Sequence, residues 1–133
     1  MSIDFTHLVQ QQMREASSEA NPAVTFLTDL AAQLQKALQP IEVVAEPRYV
    51  VNMGQQWRLV LRLPDGTFEH VLFKAYVPLG GFPVQLDFYR DSLVPCNDRA
   101  ELEQAIATFL QEETTRQQMA QLRAIALSRT AGR

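Results

Sequence analysis

The sequence predicts an α+β domain built as a two-layer sandwich. Two helices come first, then an antiparallel meander of four to five strands, then a long helix, in the order ααββββα. Three observations lead there. Trp57, Leu59, Leu61 and Leu63 alternate with Arg58 and Arg62, the period of two that marks a strand with one face on a core. Pro64-Asp65-Gly66 follows and reads as a hairpin turn. On either side of the β-rich middle, apolar residues recur at helical spacing.

Taken in order, residues 2–15 form the first helix, with Ser2 or Asp4 as cap and Phe5, Leu8, Val9 and Met13 as its apolar stripe. Asn21-Pro22 is a sharper start, because Asn suits the N-cap and Pro the first helical position. Val24, Leu27, Ala31, Leu34 and Leu38 then step by three and four, and Pro40 stops the helix. From Ile41 the period changes to that of strands. Pro47 lies within this stretch and calls for an edge position or a bulge. Asn52-Met53-Gly54-Gln55 is the turn into the central hairpin, Pro78–Pro83 is a loop, and Val84–Tyr89 alternates as a further strand.

The hairpin sets the first candidate surface. With a three-residue loop, Leu63 lies opposite Thr67, Leu61 opposite Glu69, Leu59 opposite Val71 and Trp57 opposite Phe73. Face one then carries Trp57, Leu59, Leu61, Val71, Phe73 and Ala75, which is a core. Face two carries Arg58, Val60, Arg62, Phe68, His70, Leu72, Lys74 and Tyr76. Arg58, Arg62, Phe68, His70, Lys74 and Tyr76 together form a candidate partner-binding face, since Arg and aromatic anchors dominate protein interfaces. Cations with rings are also how a sheet holds single-stranded nucleic acid, and that is the alternative reading.

Asp98 opens the last helix with Glu101 three residues on, a capping-box spacing. Leu102, Ala105, Ile106, Phe109 and Leu110 form its buried stripe. Met119, Leu122 and Ile125 resume the apolar pattern, but rotated by roughly 150° at about 100° per residue. One straight helix cannot lay both stripes on the same sheet. Either the helix ends near Thr115, or its extension packs against something other than its own core; in the second case Met119, Leu122 and Ile125 are a candidate self-association surface, giving a homodimer. The boundary is drawn at residue 115: residues 1–115 are the α+β body, and residues 116–133 are a basic helical extension or tail.

Composition bounds the function. The 133 residues are 47% hydrophobic and 20% charged, with net charge -3. All fifteen acids lie in residues 1–115 against eight basic residues there, leaving that part at -7, while residues 116–133 carry +4. A body this acidic argues against a polyanion partner, because phosphate binding follows net cationic potential. Cys96 is the one cysteine, so there is no disulfide framework, and a reducing, cytoplasmic location is expected. No signal peptide is expected, and no run nears the roughly 20 apolar residues of a membrane span.

No phosphate-loop, dinucleotide-fold, zinc or serine-hydrolase motif occurs. His7 and His70 are far apart, so no metal and no cofactor are expected. Cys96, Asp87, Arg90 and Asp91 have chemistry but no spacing that demands catalysis. A small enzyme would need a pocket under the Pro78–Pro83 loop with His70, Asp87 or Cys96 converging in it. The favoured expectation is a non-catalytic interaction module of adaptor, chaperone or immunity type, a statement of class by analogy.

Overall fold

In a computed structural model, residues 4–15, 21–50 and 54–131 are described. Their order is α1 (Phe5–Glu15), α2 (Pro22–Leu38), β1 (Glu42–Val50), β2 (Gly54–Arg62), β3 (Glu69–Val77), β4 (Val84–Asp87), β5 (Val94–Cys96), α3 (Arg99–Gln111) and α4 (Glu113–Ala131). The strands form one antiparallel sheet in sequence order, β1-β2-β3-β4-β5. The α+β layout and the antiparallel meander expected from the sequence are both present. Ser2 as a cap, the connection expected at Ser17–Ala20 for want of apolar periodicity, and the Asn52-Met53 part of the turn lie outside the described residues.

The helix boundaries follow local chemistry. The Asn21 side chain accepts from the Ala23 and Val24 amides, and Pro22 takes the first helical position. The same side chain donates to the Pro78 carbonyl at 3.1 Å, tying α2 to the end of β3. Asp98 caps α3 through the Glu101 amide, while the Glu101 carboxylate accepts from the Asn97 amide rather than from the cap's own. Asp4 accepts from the His7 amide at the start of α1.

The core lies between the sheet and α2, α3 and α4. Val24, Leu27 and Ala31 meet Trp57, Leu59, Phe73 and Ala75 across it, with Leu102, Ile106 and Phe109 from α3. Trp57 is buried, as its place in the alternation requires. Pro47 pairs with Trp57 on β1, the outer strand, where its missing donor faces no neighbour.

Two corrections concern the hairpin. The loop has four residues, not three: the Leu63 amide donates to the Phe68 carbonyl. The cause is Asp65, whose carboxylate accepts from both the Thr67 amide and the Thr67 hydroxyl and so keeps Thr67 in the turn. Further along, Leu59 pairs with Phe73 but Val60 pairs with Val71, so Leu72 is an extra residue on β3. Leu61 thus faces His70 and Trp57 faces Ala75, instead of Glu69 and Phe73. The bulge lets Leu72 and Phe73, consecutive residues, both enter the core at 3% and 1% exposure.

A third correction concerns the expected long last helix. It breaks at Glu112, whose ψ of 141° is extended, and α4 sets off in a new direction. The rotated stripe is thereby returned to the domain. Ala126 is fully in the core, and Met119 and Leu122 pack against it. The residue 115 boundary falls within α4, and Thr115 is only 2% exposed. Arg123 donates to the Gln39 carbonyl and Arg129 to Asp65, fastening α4 to the end of α2 and to the hairpin loop.

Asp65 gives the fold an acid-sensitive point. The Thr67 hydroxyl and amide, then Arg129, hold its carboxyl down to about 2, below the usual 3.8. A carboxylate depressed in the fold stabilises above its unfolded value and loses that contribution as it protonates. Stability should therefore fall as pH drops from about 4 to about 2. Chemical denaturation across that window should show a shallower fall for Asp65→Asn. An unchanged slope would contradict the assignment.

Candidate functional site: an open sheet face and a groove under the last helix

The six residues expected on one sheet face do not share it. Arg58, Arg62, Lys74 and Tyr76 remain on the side away from the helices, because their pairing partners have kept that parity. Phe68 and His70 precede the bulge, and the extra residue turns them to the helix side, opposite Leu63 and Leu61. Val71 and Glu69 take their places on the outer face.

On that outer face the cations are paired. Glu46 bridges Arg58, at 2.8 Å, and Arg62, which also holds Glu69 at 2.6 Å. The Arg58 hydrogen bond, with Arg62, pulls Glu46 below the usual carboxylate value against the opposing effect of burial. The bonds to Glu69 and Glu46 raise Arg62. Val60 lies beneath this layer with no exposed surface, yet it is not part of the main core. The stems of Arg58 and Arg62 flank it on its own strand, so the arginines serve as apolar cover as well as charge. Lys74 pairs across with Asp87 in register and lies 5.5 Å over the Tyr89 ring.

On the helix side a groove runs between β3 and α4. One part, about 510 Å³, is lined by His70, Leu72, Phe88, Arg90, Thr115 and Gln118, among others. The next, about 260 Å³, shares His70 and Gln118 and continues past Phe68, Leu122 and Ile125. Phe88 and Phe109 stack at 4.4 Å in the wall of the first part. Tyr89 at its rim has φ 63°, a left-handed conformation rare for an aromatic residue, held by its amide donating to Asp87 at 2.8 Å. Arg90 pairs with Glu112 at the break between α3 and α4, not with Asp87 or Asp91. Sequence reading missed the groove, because it needs the α3–α4 break and the bulge at once. A local signal was Val71-Leu72-Phe73, three large apolar residues in a row where an alternating strand would carry a polar one.

Of the second apolar stripe, Met119 and Leu122 are half-buried against the chain's own core, and Ile125 is exposed at the groove. The larger bare apolar surface is on α1, where Phe5, Leu8 and Val9 are 69%, 44% and 53% exposed.

His70, Asp87 and Cys96 are dispersed. Asp87 is on the outer sheet face, opposite Lys74. Cys96 is on β5 opposite Val84, 1% exposed, and burial followed by Glu101 and Asp98 pushes its thiol up, away from a nucleophilic thiolate. His70 is seven residues along β3 from Val77, roughly 23 Å at a strand's rise. The described residues contain no group of three or more acids, histidines or cysteines that could hold a metal ion. None of their helices is long and apolar enough to cross a membrane.

Fold and site together define a two-layer α+β domain with one open, ion-paired sheet face and one groove beneath its last helix. The chain matches no family model, no curated protein and no solved structure.

Proposed function

We propose that this chain is a non-catalytic protein-interaction module that self-associates as a homodimer, working in a reducing compartment. The observation that carries this reading is α1. Phe5, Leu8 and Val9 sit at i, i+3 and i+4, and all described side chains from Asp4 to Gln10 are exposed. An 11-residue amphipathic helix has little stability of its own in water, since helices of this length depend on packing of an apolar face. A second copy supplies that packing, and a two-fold axis closes the assembly. Dispersal of the titratable candidates supports a binding role over a catalytic one. Pairing of Arg58 and Arg62 with Glu46 and Glu69 weakens the nucleic-acid alternative, because those cations are already neutralised.

Sedimentation of the full chain and of the Phe5→Ser/Leu8→Ser double variant, each at low and high salt, tests it. A dimer that becomes monomeric in the variant is expected, with association unchanged or stronger at high salt. A monomer at every concentration removes the self-association. Capture of single-stranded RNA that weakens with salt and is lost in Arg58→Ala/Arg62→Ala hands the sheet face to nucleic acid.

A further inference from the structure

The geometry points to a second, separate site: the groove under α4 takes an extended peptide, added to the sheet as a strand beside the first half of β3. This deepens the interaction-module reading and rests on it, but it uses a surface other than α1.

The starting point is an incomplete ladder. β4 covers only Lys74, Ala75 and Tyr76 of β3. From Glu69 to Phe73, β3 has β2 on one side and no strand on the other among the described residues. Alternate backbone N–H and C=O groups of an antiparallel strand point toward each neighbour, so this half-edge presents unpaired donors and acceptors. The outer edge of the sheet, β1, is blunted by Pro47 and the charges of Glu42, Glu46 and Arg48. The β3 half-edge, Glu69 to Phe73, carries one acid at its end and the Leu72 bulge but no proline, and His70-Val71-Leu72 within it bears no carboxylate or ammonium group. An extended backbone is the ligand chemistry that satisfies such an edge.

The helix above it supplies side-chain pockets. Gln118, Gln121, Leu122 and Ile125 recur at i, i+3, i+4 and i+7, one face of α4, and all line the groove. From Thr114 to Ile125 that face is about 16 Å long at a helix's rise, and five residues of strand cover about 17 Å. The occupant is therefore a stretch of five to seven residues or so. Its side chains alternate, so every second one enters between β3 and α4, where Phe68, Leu72, Leu122 and Ile125 ask for apolar groups.

The groove's charge is balanced within the chain and sets no charge on the peptide. Although the chain is acidic, no Asp or Glu lines either part of the groove. Arg90 and His70 do, together with Thr114 and Thr115 from the first turn of α4. The first helical bond of α4 is from the Arg116 amide to the Glu112 carbonyl, so the amides before it have no helical acceptor. Thr115, 2% exposed, is buried in the wall of the groove. Arg90 is already paired with Glu112, so the lining offers no free cation to a carboxylate of the peptide.

Selection from a displayed library of random heptapeptides on the immobilised full chain, followed by amide hydrogen exchange with one selected peptide, tests the site. Selected peptides should alternate β-branched or aromatic residues with polar ones. The bound peptide should slow exchange at alternate amides in residues 69–73 by tenfold or more. N-methylation of its alternate amides should weaken binding at least tenfold, and so should Ile125→Glu, a change at a 44% exposed position that leaves the core intact. Selection of proline-rich or helical peptides, an empty selection, or unaltered exchange at residues 69–73 would overturn the proposal. The Phe5→Ser/Leu8→Ser variant separates the two readings. Peptide binding that persists in it while the wild type sediments as a monomer sinks only self-association. A dimeric wild type that selects no strand-like peptide sinks only the groove.

Discussion

Phe73→Ala should be among the most destabilising single substitutions in this chain, at about 3–5 kcal/mol. Phe73 is 1% exposed and sits where sheet and helices meet. Its ring makes edge contacts with Phe88 at 5.7 Å and Phe109 at 6.1 Å, and those two stack on each other. Truncation removes the transfer contribution of a buried phenyl group and two ring pairs, and it leaves a cavity. The cavity cannot collapse easily, because Phe73 is on a central strand whose neighbours are fixed by the ladder to β2. Phe68→Ala is the contrast: at 46% exposure it should shift stability by no more than about 0.5 kcal/mol. Urea denaturation followed by the fluorescence of Trp57, the one tryptophan, reads both. Equal costs for the two would mean that the bulge does not divide β3 as described.

That division shows where sequence reasoning reached and where it stopped. The ends of α2 were legible because they depend on Asn21, Pro22 and Pro40, residues that act on their immediate neighbours. The burial of Trp57 and Leu59 was legible because parity along one strand survives an error in its partner. Pairing across the hairpin was not. A three-residue and a four-residue loop differ here by two hydrogen bonds from Thr67 to Asp65, a local detail that pattern alone does not rank. The bulge depended on tertiary context, since Leu72 and Phe73 can both face inward only where the core has room for both. Those two displacements moved Phe68 and His70 from the expected binding face into the groove. In α4 the rotated stripe correctly signalled that a straight helix was impossible. The break at Glu112 sent Met119 and Leu122 back to the same core, because a turn between helices restores the apolar face that rotation had misdirected.

Gly54 is the position where the largest effect should come from adding the fewest atoms. Its φ of 85° lies in the left-handed region, at the start of β2 opposite Val50. A Cβ there would press into the Val77 carbonyl oxygen and lie 2.9 Å from the Pro78 Cα, both main-chain atoms at the end of the adjacent strand β3. Neither can yield as a flexible side chain would, because the Pro78 carbonyl is itself held by Asn21. Gly54→Ala therefore combines left-handed strain of about 1–3 kcal/mol with main-chain crowding of about 1–3 kcal/mol. Gly66 isolates the first of these contributions. It has φ 74° in the hairpin loop, but a Cβ there meets nothing within 4 Å. Gly66→Ala should cost about 1–3 kcal/mol, the strain alone. The difference between the two variants, measured as the shift in urea midpoint at constant m, is the cost of the contact between the β2 start and the β3 end. If Gly54→Ala proved no worse than Gly66→Ala, the close approach at Val77 and Pro78 would be refuted.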